Sequence, residues 1–159
     1  MARVVIVDAG PLIAFAGIDG LDILRRLFSV VYVTESVMDE CLTKDSMDAQ
    51  RIESAIKDGW LHVHISKKRS APLTPSLGVG ESDSITFAQE VQEDSLLIMD
   101  DRLARRYALR KGLNIVGTVR LLDLAEQRGF IESAESSIQE MADFGYRVSM
   151  NLLREIRCE

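Results

Sequence analysis

The stretch VVIVDAGPL at residues 4–12 decides the fold. Its first four residues are aliphatic, as is typical of a strand that is buried on both faces in a parallel sheet. Asp8 ends this run, and Gly10 and Pro11 are predicted to turn the chain toward a short apolar helix. In open α/β sheets, ligands bind at the carboxyl ends of the strands. The stretch therefore predicts a parallel sheet with a carboxylate on its ligand side.

The composition limits the class of protein. The 159 residues are 47% hydrophobic and 28% charged, which is typical of one globular domain over residues 1–159. No apolar run approaches the roughly 18 residues that cross a bilayer, so no membrane partner is expected. Cys41 and Cys158 show neither disulfide-framework nor metal spacing, which favours a cytoplasmic protein. The net charge of −6 argues against a general nucleic-acid coat protein but not against an enzyme whose acids hold cations.

Apolar runs and helical periodicities alternate along the chain. The predicted strands lie at residues 4–7, 30–33, 60–65, 96–99 and 114–116. Helices are predicted between the strands, and two more, at about 131–144 and 148–156, close the chain. This alternation predicts an α/β domain with a parallel sheet, right-handed crossovers and helices on both faces.

Acids follow two of the buried strands. Asp8 comes directly after the first strand, and Asp100 and Asp101 end the run at residues 96–99. In a doubly wound sheet the first strand and a later one lie side by side where the strand order reverses. The carboxylates are therefore expected to face one crevice.

Two further acids lie beside the apolar stripes of their helices. Glu40 follows Val37 by three residues, and Glu81 precedes Ile85 by four, so each acid borders the core. Such acids are costly unless they are paired or bind a metal. A helix cap or a solvated face is the simpler interpretation of any one acid, but four converging segments together favour a metal site.

Oxygen ligands of this kind suit hard divalent cations such as Mg²⁺. One or two such ions activate water and stabilise the leaving oxygen of a phosphodiester. Without a cation the carboxylates repel one another, so metal is expected to stabilise the fold.

Basic residues near the acids are candidates for phosphate contacts. Arg102 and Arg106 are four residues apart on a helix that begins at the Asp pair, and the series continues to Arg110. A solvated face is the commoner interpretation of such a run, yet its place beside the acids favours Arg102 and Arg106 as contacts to the substrate backbone. The basic run at residues 67–69 is a weaker candidate.

Other chemistries find little support. His62 and His64 share a strand face, but no further His or Cys accompanies them. The segment GVG at residues 78–80 lacks the third glycine of a dinucleotide site and follows no strand. A haloacid-dehalogenase phosphatase also begins with an Asp after its first strand, but its second Asp is Gly10 here.

With these acids in order, the chain resembles the PIN-domain family of metal-dependent ribonucleases over nearly its whole length. VVIVDAGPLIAF is similar to the family's opening strand, Glu40 matches its helix-borne acid, and GVGESDSITFA resembles the segment with the third acid. LLIMDDRLAR matches the fourth-acid motif. Many members have Asp where Glu81 stands, which leaves Asp83 as an alternative third acid. Members also commonly have Thr where Met99 stands, which leaves open whether Asp100 or Asp101 is the fourth acid. The Gly-x-Gly-Glu form, the Asp-Asp-Arg run and the terminal GYRVSMNLLREI resemble one PIN subfamily.

The resemblance implies a three-layer α/β/α fold with a parallel sheet in the order 3-2-1-4-5. It implies Mg²⁺ or Mn²⁺ at Asp8, Glu40, Glu81 and Asp100 or Asp101. Many small members are dimeric toxins whose antitoxin occupies the active-site groove. The implied function is an endoribonuclease, with a homodimer and an antitoxin as partners and residues 131–159 as the partner surface. The alternative is a PIN-like module that binds protein or nucleic acid without useful catalysis.

Overall fold

A five-stranded parallel sheet forms the centre of the molecule, in the order β3-β2-β1-β4-β5. The computed structural model describes residues 4–66, 72–91 and 94–159. The strands are β1 (Val4–Val7), β2 (Val31–Thr34), β3 (Leu61–His64), β4 (Ser95–Ile98) and β5 (Asn114–Val116). The predicted α/β class and the strand order 3-2-1-4-5 are confirmed.

Helices cover both faces of the sheet. They are α1 (Ala9–Gly17), α2 (Leu21–Phe28), α3 (Glu35–Leu42), α4 (Met47–Asp58), α5 (Val79–Glu90), α6 (Arg102–Arg110), α7 (Thr118–Gln127), α8 (Ala134–Asp143) and α9 (Met150–Arg157). Across the described ranges, none of the helices combines the length and apolar character that crossing a bilayer requires.

The core consists of two hydrophobic clusters, one on each face of the sheet. Successive side chains of a strand point to opposite faces. Val5 and Val7 accordingly join the larger cluster, with residues of α1, α2, α4, α7, α8 and α9, whereas Val4 and Ile6 join the smaller one, with α5 and α6. Burial on both faces explains why β1 is uniformly aliphatic, and the arrangement is the predicted three-layer α/β/α fold.

The first helix begins earlier than the sequence predicts. Asp8 is the N-cap of α1, in extended conformation, and Gly10 and Pro11 lie in the first helical turn instead of forming a separate turn. Proline is tolerated there because a first-turn N–H has no partner within the helix. The strand therefore passes into the helix at Asp8, whose carboxylate stands at the sheet edge and at the helix N-terminus together.

Other element boundaries move by one to three residues. β4 ends at Ile98, so Met99 and Asp100 belong to the connection to α6. A threonine before a helical periodicity is typical of an N-cap, but Thr118 is the first residue of α7 and Gly117 is the N-cap. The strand predicted at 60–65 is confirmed as β3, which lies at one edge of the sheet and is partly exposed.

Candidate active site

A cleft of about 490 Å³ opens at the carboxyl edge of the sheet. All five predicted acids line it, namely Asp8, Glu40, Glu81, Asp100 and Asp101, and so do Arg102, Tyr146 and Arg147. The acids come from the end of β1, from α3, from the first turn of α5 and from the connection between β4 and α6. The fold thus brings together side chains that are far apart in the sequence.

Asp8 is the most buried acid of the cleft, with 5% of its surface exposed. Burial is the main cause that raises the pKa of its carboxyl to about 7; the negative charges of Glu81, Glu40 and Asp101 contribute to this rise, and a hydrogen bond from the backbone of Ala9 opposes it. Desolvation and like charges both disfavour the ionised form. Asp8 therefore retains a proton at pH values where an exposed aspartate has lost it.

Glu81 and Asp101 form a pair of interacting carboxyls beside Asp8. Glu81 accepts a hydrogen bond of 3.0 Å from the backbone N–H of Gly78, and Asp101 caps α6 by accepting one of 3.0 Å from Ala104. Partial burial raises the pKa of Glu81, and so do the charge of Asp101 and the hydrogen bond between the two side chains. Two carboxyls in contact hold one proton more tightly than either alone.

Glu40 reaches the cleft because α3 and α5 approach closely. A Cβ at position 80 would lie 3.1 Å from Cγ2 of Val37 and 3.8 Å from Oε2 of Glu40. Gly80 removes this obstacle, so the first turn of α5 packs against the last turns of α3. The Gly-x-Gly-Glu segment thus serves to bring Glu81 beside Glu40.

Asp100 differs from its neighbour because both of its oxygens are engaged inside the protein. Oδ1 accepts a hydrogen bond of 2.8 Å from the backbone N–H of Thr118, and Oδ2 accepts bonds of 2.5 Å from the hydroxyls of Thr118 and Tyr146. Burial and the charge of Asp100 raise the pKa of Tyr146, which keeps its hydroxyl a donor. Asp101, in contrast, interacts with Asp8 and Glu81.

The predicted basic residues separate into two groups. Arg102 lines the cleft, whereas Arg106, one turn further along α6, is exposed and lies outside the lining. Arg105 donates a hydrogen bond of 2.9 Å to the carbonyl of Met99 and so fixes the start of the helix. The basic run at residues 67–69 lies outside the described residues.

Asp83, the alternative to Glu81, lines a neighbouring pocket of about 350 Å³ with Thr34, Asp39 and His64. Within that pocket its carboxylate stands apart from the acidic cleft. Sequence reasoning missed the contact of buried Thr118 with Asp100 and two residues that line the cleft, Tyr146 and Arg147. The only signal for Tyr146 and Arg147 was the segment GYRVSMNLLREI, which carried a resemblance but no role.

The donor chemistry of the cleft fits a hard divalent cation. Asp8, Glu40, Glu81 and Asp101 offer carboxylate oxygens, the ligands that Mg²⁺ and Mn²⁺ prefer. None of the ion pairs found in the described ranges neutralises them. Yet in residues 4–66, 72–91 and 94–159 no three acidic, His or Cys side chains are arranged so that they would hold an ion as they stand. Three of these carboxylates, which repel one another, would thus have to move closer together to ligate one ion.

Comparisons with known proteins agree with the fold. A family model described as a PIN domain matches residues 4–159. Among solved structures, a PilT N-terminus domain protein from the hyperthermophilic archaeon Sulfolobus solfataricus P2 is similar, with a TM-score of 0.55 and 20% sequence identity over 77% of this chain and 93% of that chain. This likeness bears on the fold alone. No curated protein matches the chain. Because the family model spans nearly the whole sequence, the chain belongs to the PIN-domain family.

Proposed function

We propose that the protein is a metal-dependent endoribonuclease in which Asp8, Glu40, Glu81 and Asp101 hold Mg²⁺ or Mn²⁺. Membership of the PIN family indicates a nuclease-type function, nucleic acid as the partner and divalent metal as the usual cofactor. RNA as the substrate, internal cleavage and the ligand set are the further steps of the proposal.

The burial of Asp8 carries the proposal. A carboxyl that is 5% exposed lies among the charges of three other acids, and desolvation raises its pKa to about 7. A buried carboxylate without a cation destabilises a fold, so a cluster of such groups in a cleft indicates a functional site. Hydrolysis of a phosphodiester with bound divalent metal is the chemistry that uses these ligands.

The residues of the chain prepare the cleft for an anionic substrate. When bound, a divalent cation would lower the pKa of a water molecule and offset the charge on the leaving oxygen. The N-termini of α1, α5 and α6 border the cleft, and their backbone N–H groups favour negative charge. Arg102 adds a side-chain cation at the start of α6, where it is suited to position a phosphate.

Cleavage of labelled RNA tests the proposal directly. Purified protein is incubated with single-stranded RNA, with hairpin RNA and with DNA of the same sequence, in Mn²⁺, Mg²⁺ or EDTA. We expect metal-dependent cleavage inside the RNA chain and a loss of at least roughly 100-fold in Asp8→Asn and Glu81→Gln, because second-sphere partners of metal ligands alone cost 10–100-fold. Asp83→Asn is the matched control and should retain activity. Cleavage that persists in Asp8→Asn would rule out this cleft as its source.

The binding module remains the second candidate, and one observation favours it. No three carboxylates of the described part of the chain stand ready to ligate one ion. This candidate predicts that the protein binds RNA without cutting it and that Mg²⁺ and Mn²⁺ leave its melting temperature unchanged. A rise in melting temperature with Mn²⁺, absent in Asp8→Asn, favours the nuclease.

The proposal has two extensions. The protein acts as a toxin with an antitoxin partner, and it forms a homodimer. Exposed Phe144 and Leu152, both within residues 131–159, support an apolar partner surface there. Light scattering tests the homodimer. A neighbouring reading frame that encodes a small protein able to inhibit the nuclease would support the toxin role.

A further inference from the structure

Tyr146 reaches the cleft through a turn that ends α8. Gly145 has a φ of +95°, in the left-handed region, and its N–H donates to the carbonyl of Ala142 at 2.9 Å. The N–H of Tyr146 donates to the carbonyl of Met141 at 2.8 Å. This pair of bonds is a Schellman motif, which glycine favours because it has no Cβ. The turn reverses the chain and directs Tyr146 toward the carboxyl edge of the sheet.

The ring of Tyr146 lies between the two central strand ends. On one side its hydroxyl donates to Asp100, which also accepts both hydrogen bonds of Thr118. On the other side it contacts the first turn of α1, where a Cβ at Gly10 would lie 3.0 Å from the hydroxyl and 3.3 Å from Cε1. The hydrogen bond from Tyr146 to Asp100 thus joins residues that are 46 positions apart in the sequence.

The residue after Tyr146 is a cation in the cleft. Arg147 is exposed and lines the cleft with Arg102. Among the ion pairs of the described residues, neither arginine has a carboxylate partner. Four acids repel a phosphodiester, so unpaired arginines at the rim offset that repulsion.

We propose that Asp100, Thr118 and Tyr146 form a latch that holds Arg147 at the cleft, where it contacts a backbone phosphate of single-stranded RNA. The proposal rests on the ribonuclease function and names Arg147 as a substrate contact. Tyr146 and Asp100 are positioning residues that act through it. Fixing the backbone beside a long cation before binding lowers the entropy that binding costs. Asp100 belongs to the latch and not to the set of metal ligands, because its two oxygens already accept three hydrogen bonds.

A double-mutant cycle on RNA affinity tests the latch. The dissociation constant for a fluorescent single-stranded RNA is measured by anisotropy in EDTA, without cleavage, over a range of salt. Arg147→Ala should weaken binding by roughly 10-fold and lower the salt slope by about 0.7, the value for one phosphate contact on a single strand. Tyr146→Phe, which keeps the ring, should weaken binding roughly 3- to 10-fold alone and less than about 2-fold in the Arg147→Ala background.

Matched controls and a second variant keep the test decisive. Arg128→Ala, at the end of α7, removes the same charge outside the cleft lining, and Tyr107→Phe removes a hydroxyl from α6; both should bind as the wild type does. If Tyr146→Phe fails to fold, Thr118→Val breaks the same latch.

Each outcome separates the latch from the nuclease. An unchanged affinity in Tyr146→Phe, or effects that multiply in the double variant, would overturn the latch and leave the ribonuclease intact. If the two substitutions are coupled in the cycle but the wild type cuts no RNA with Mn²⁺, the ribonuclease is overturned and the latch remains as an RNA-binding device. A wild type that binds no RNA in EDTA would overturn the latch, whereas the cleavage assay with Mn²⁺ decides the ribonuclease independently.

Discussion

At the scale of single residues, the buried carboxyl of Asp8 makes the stability of the metal-free protein depend on pH. Its carboxyl has a pKa of 3.8 when exposed and about 7 in the fold. The folded state therefore binds the proton more tightly than the unfolded chain, and the stability linked to this proton is complete below about pH 4. It is lost as the pH rises through 7, at a cost of about 4 kcal/mol. The metal-free protein is thus destabilised near the pH at which a nuclease works.

The first prediction follows from that linkage. In EDTA, Asp8→Asn removes the charge but keeps the shape of the side chain, so its free energy of unfolding should lose the pH dependence of this group. Relative to wild type, the variant should gain about 3 kcal/mol between pH 5 and pH 8. Urea unfolding at the two pH values measures the difference. A variant that differs from wild type equally at both values would show that Asp8 ionises normally in the fold.

At the scale of elements, one arginine fastens the last helix to the domain. Arg157 of α9 donates to Asp123 at 3.0 Å and to Glu126 at 2.7 Å, both on α7. Asp123 is buried and also accepts from Gln127, while Glu126 accepts at 2.8 Å from the N–H of Ala134 at the start of α8. The three terminal helices therefore meet at this group of charges. The hydrogen bond from the backbone N–H of Ala134, followed by the hydrogen bond and charge of Arg157, lowers the pKa of Glu126.

The second prediction concerns this contact. Arg157→Ala leaves the buried carboxylate of Asp123 without its cation, which is costlier than the loss of an exposed pair. We expect a clear fall in melting temperature and faster proteolysis of α9. Arg120→Ala, which removes the exposed pair with Glu159, is the matched control and should change little. Equal effects of the two variants would show that α9 depends on its apolar contacts, such as buried Leu153.

Local signals predict elements well and their ends less well. The sequence predicts β1 as a buried strand because its four residues are all aliphatic, and they do fill both faces of the sheet. The predicted start of α1 is wrong because Gly10 and Pro11 favour a turn in isolation, whereas both also fit the first turn of a helix. Thr118 has the side chain of a typical helix cap, yet its hydroxyl donates to Asp100 across the sheet edge. In this last case a contact distant in sequence decides the role of the residue.

At the scale of the whole molecule, the same limit applies to the cleft. The positions of Asp8, Glu40 and Glu81 at the cleft follow from strand ends and helical spacing, both of which are periodic and local. The difference between Asp100 and Asp101 does not, because it depends on Tyr146, which is 46 residues from Asp100. The sequence thus predicts which acids meet at the cleft, and the tertiary contacts indicate which of two neighbours faces the others.

The last prediction uses the fact that four separate segments supply the acids. A cation held by all four would join the starts of α1, α5 and α6 to the end of α3, and it would stabilise the folded state by binding it alone. We therefore expect Mn²⁺ to slow amide hydrogen exchange in these four segments, while α9 and its contact with α7 stay unchanged. Mass spectrometry of exchanged peptides measures this, with Asp8→Asn as the control in which protection is lost. Protection that appears in the control, or that spreads evenly over the chain, would place the metal elsewhere, because only a cation in this cleft links those segments and no others.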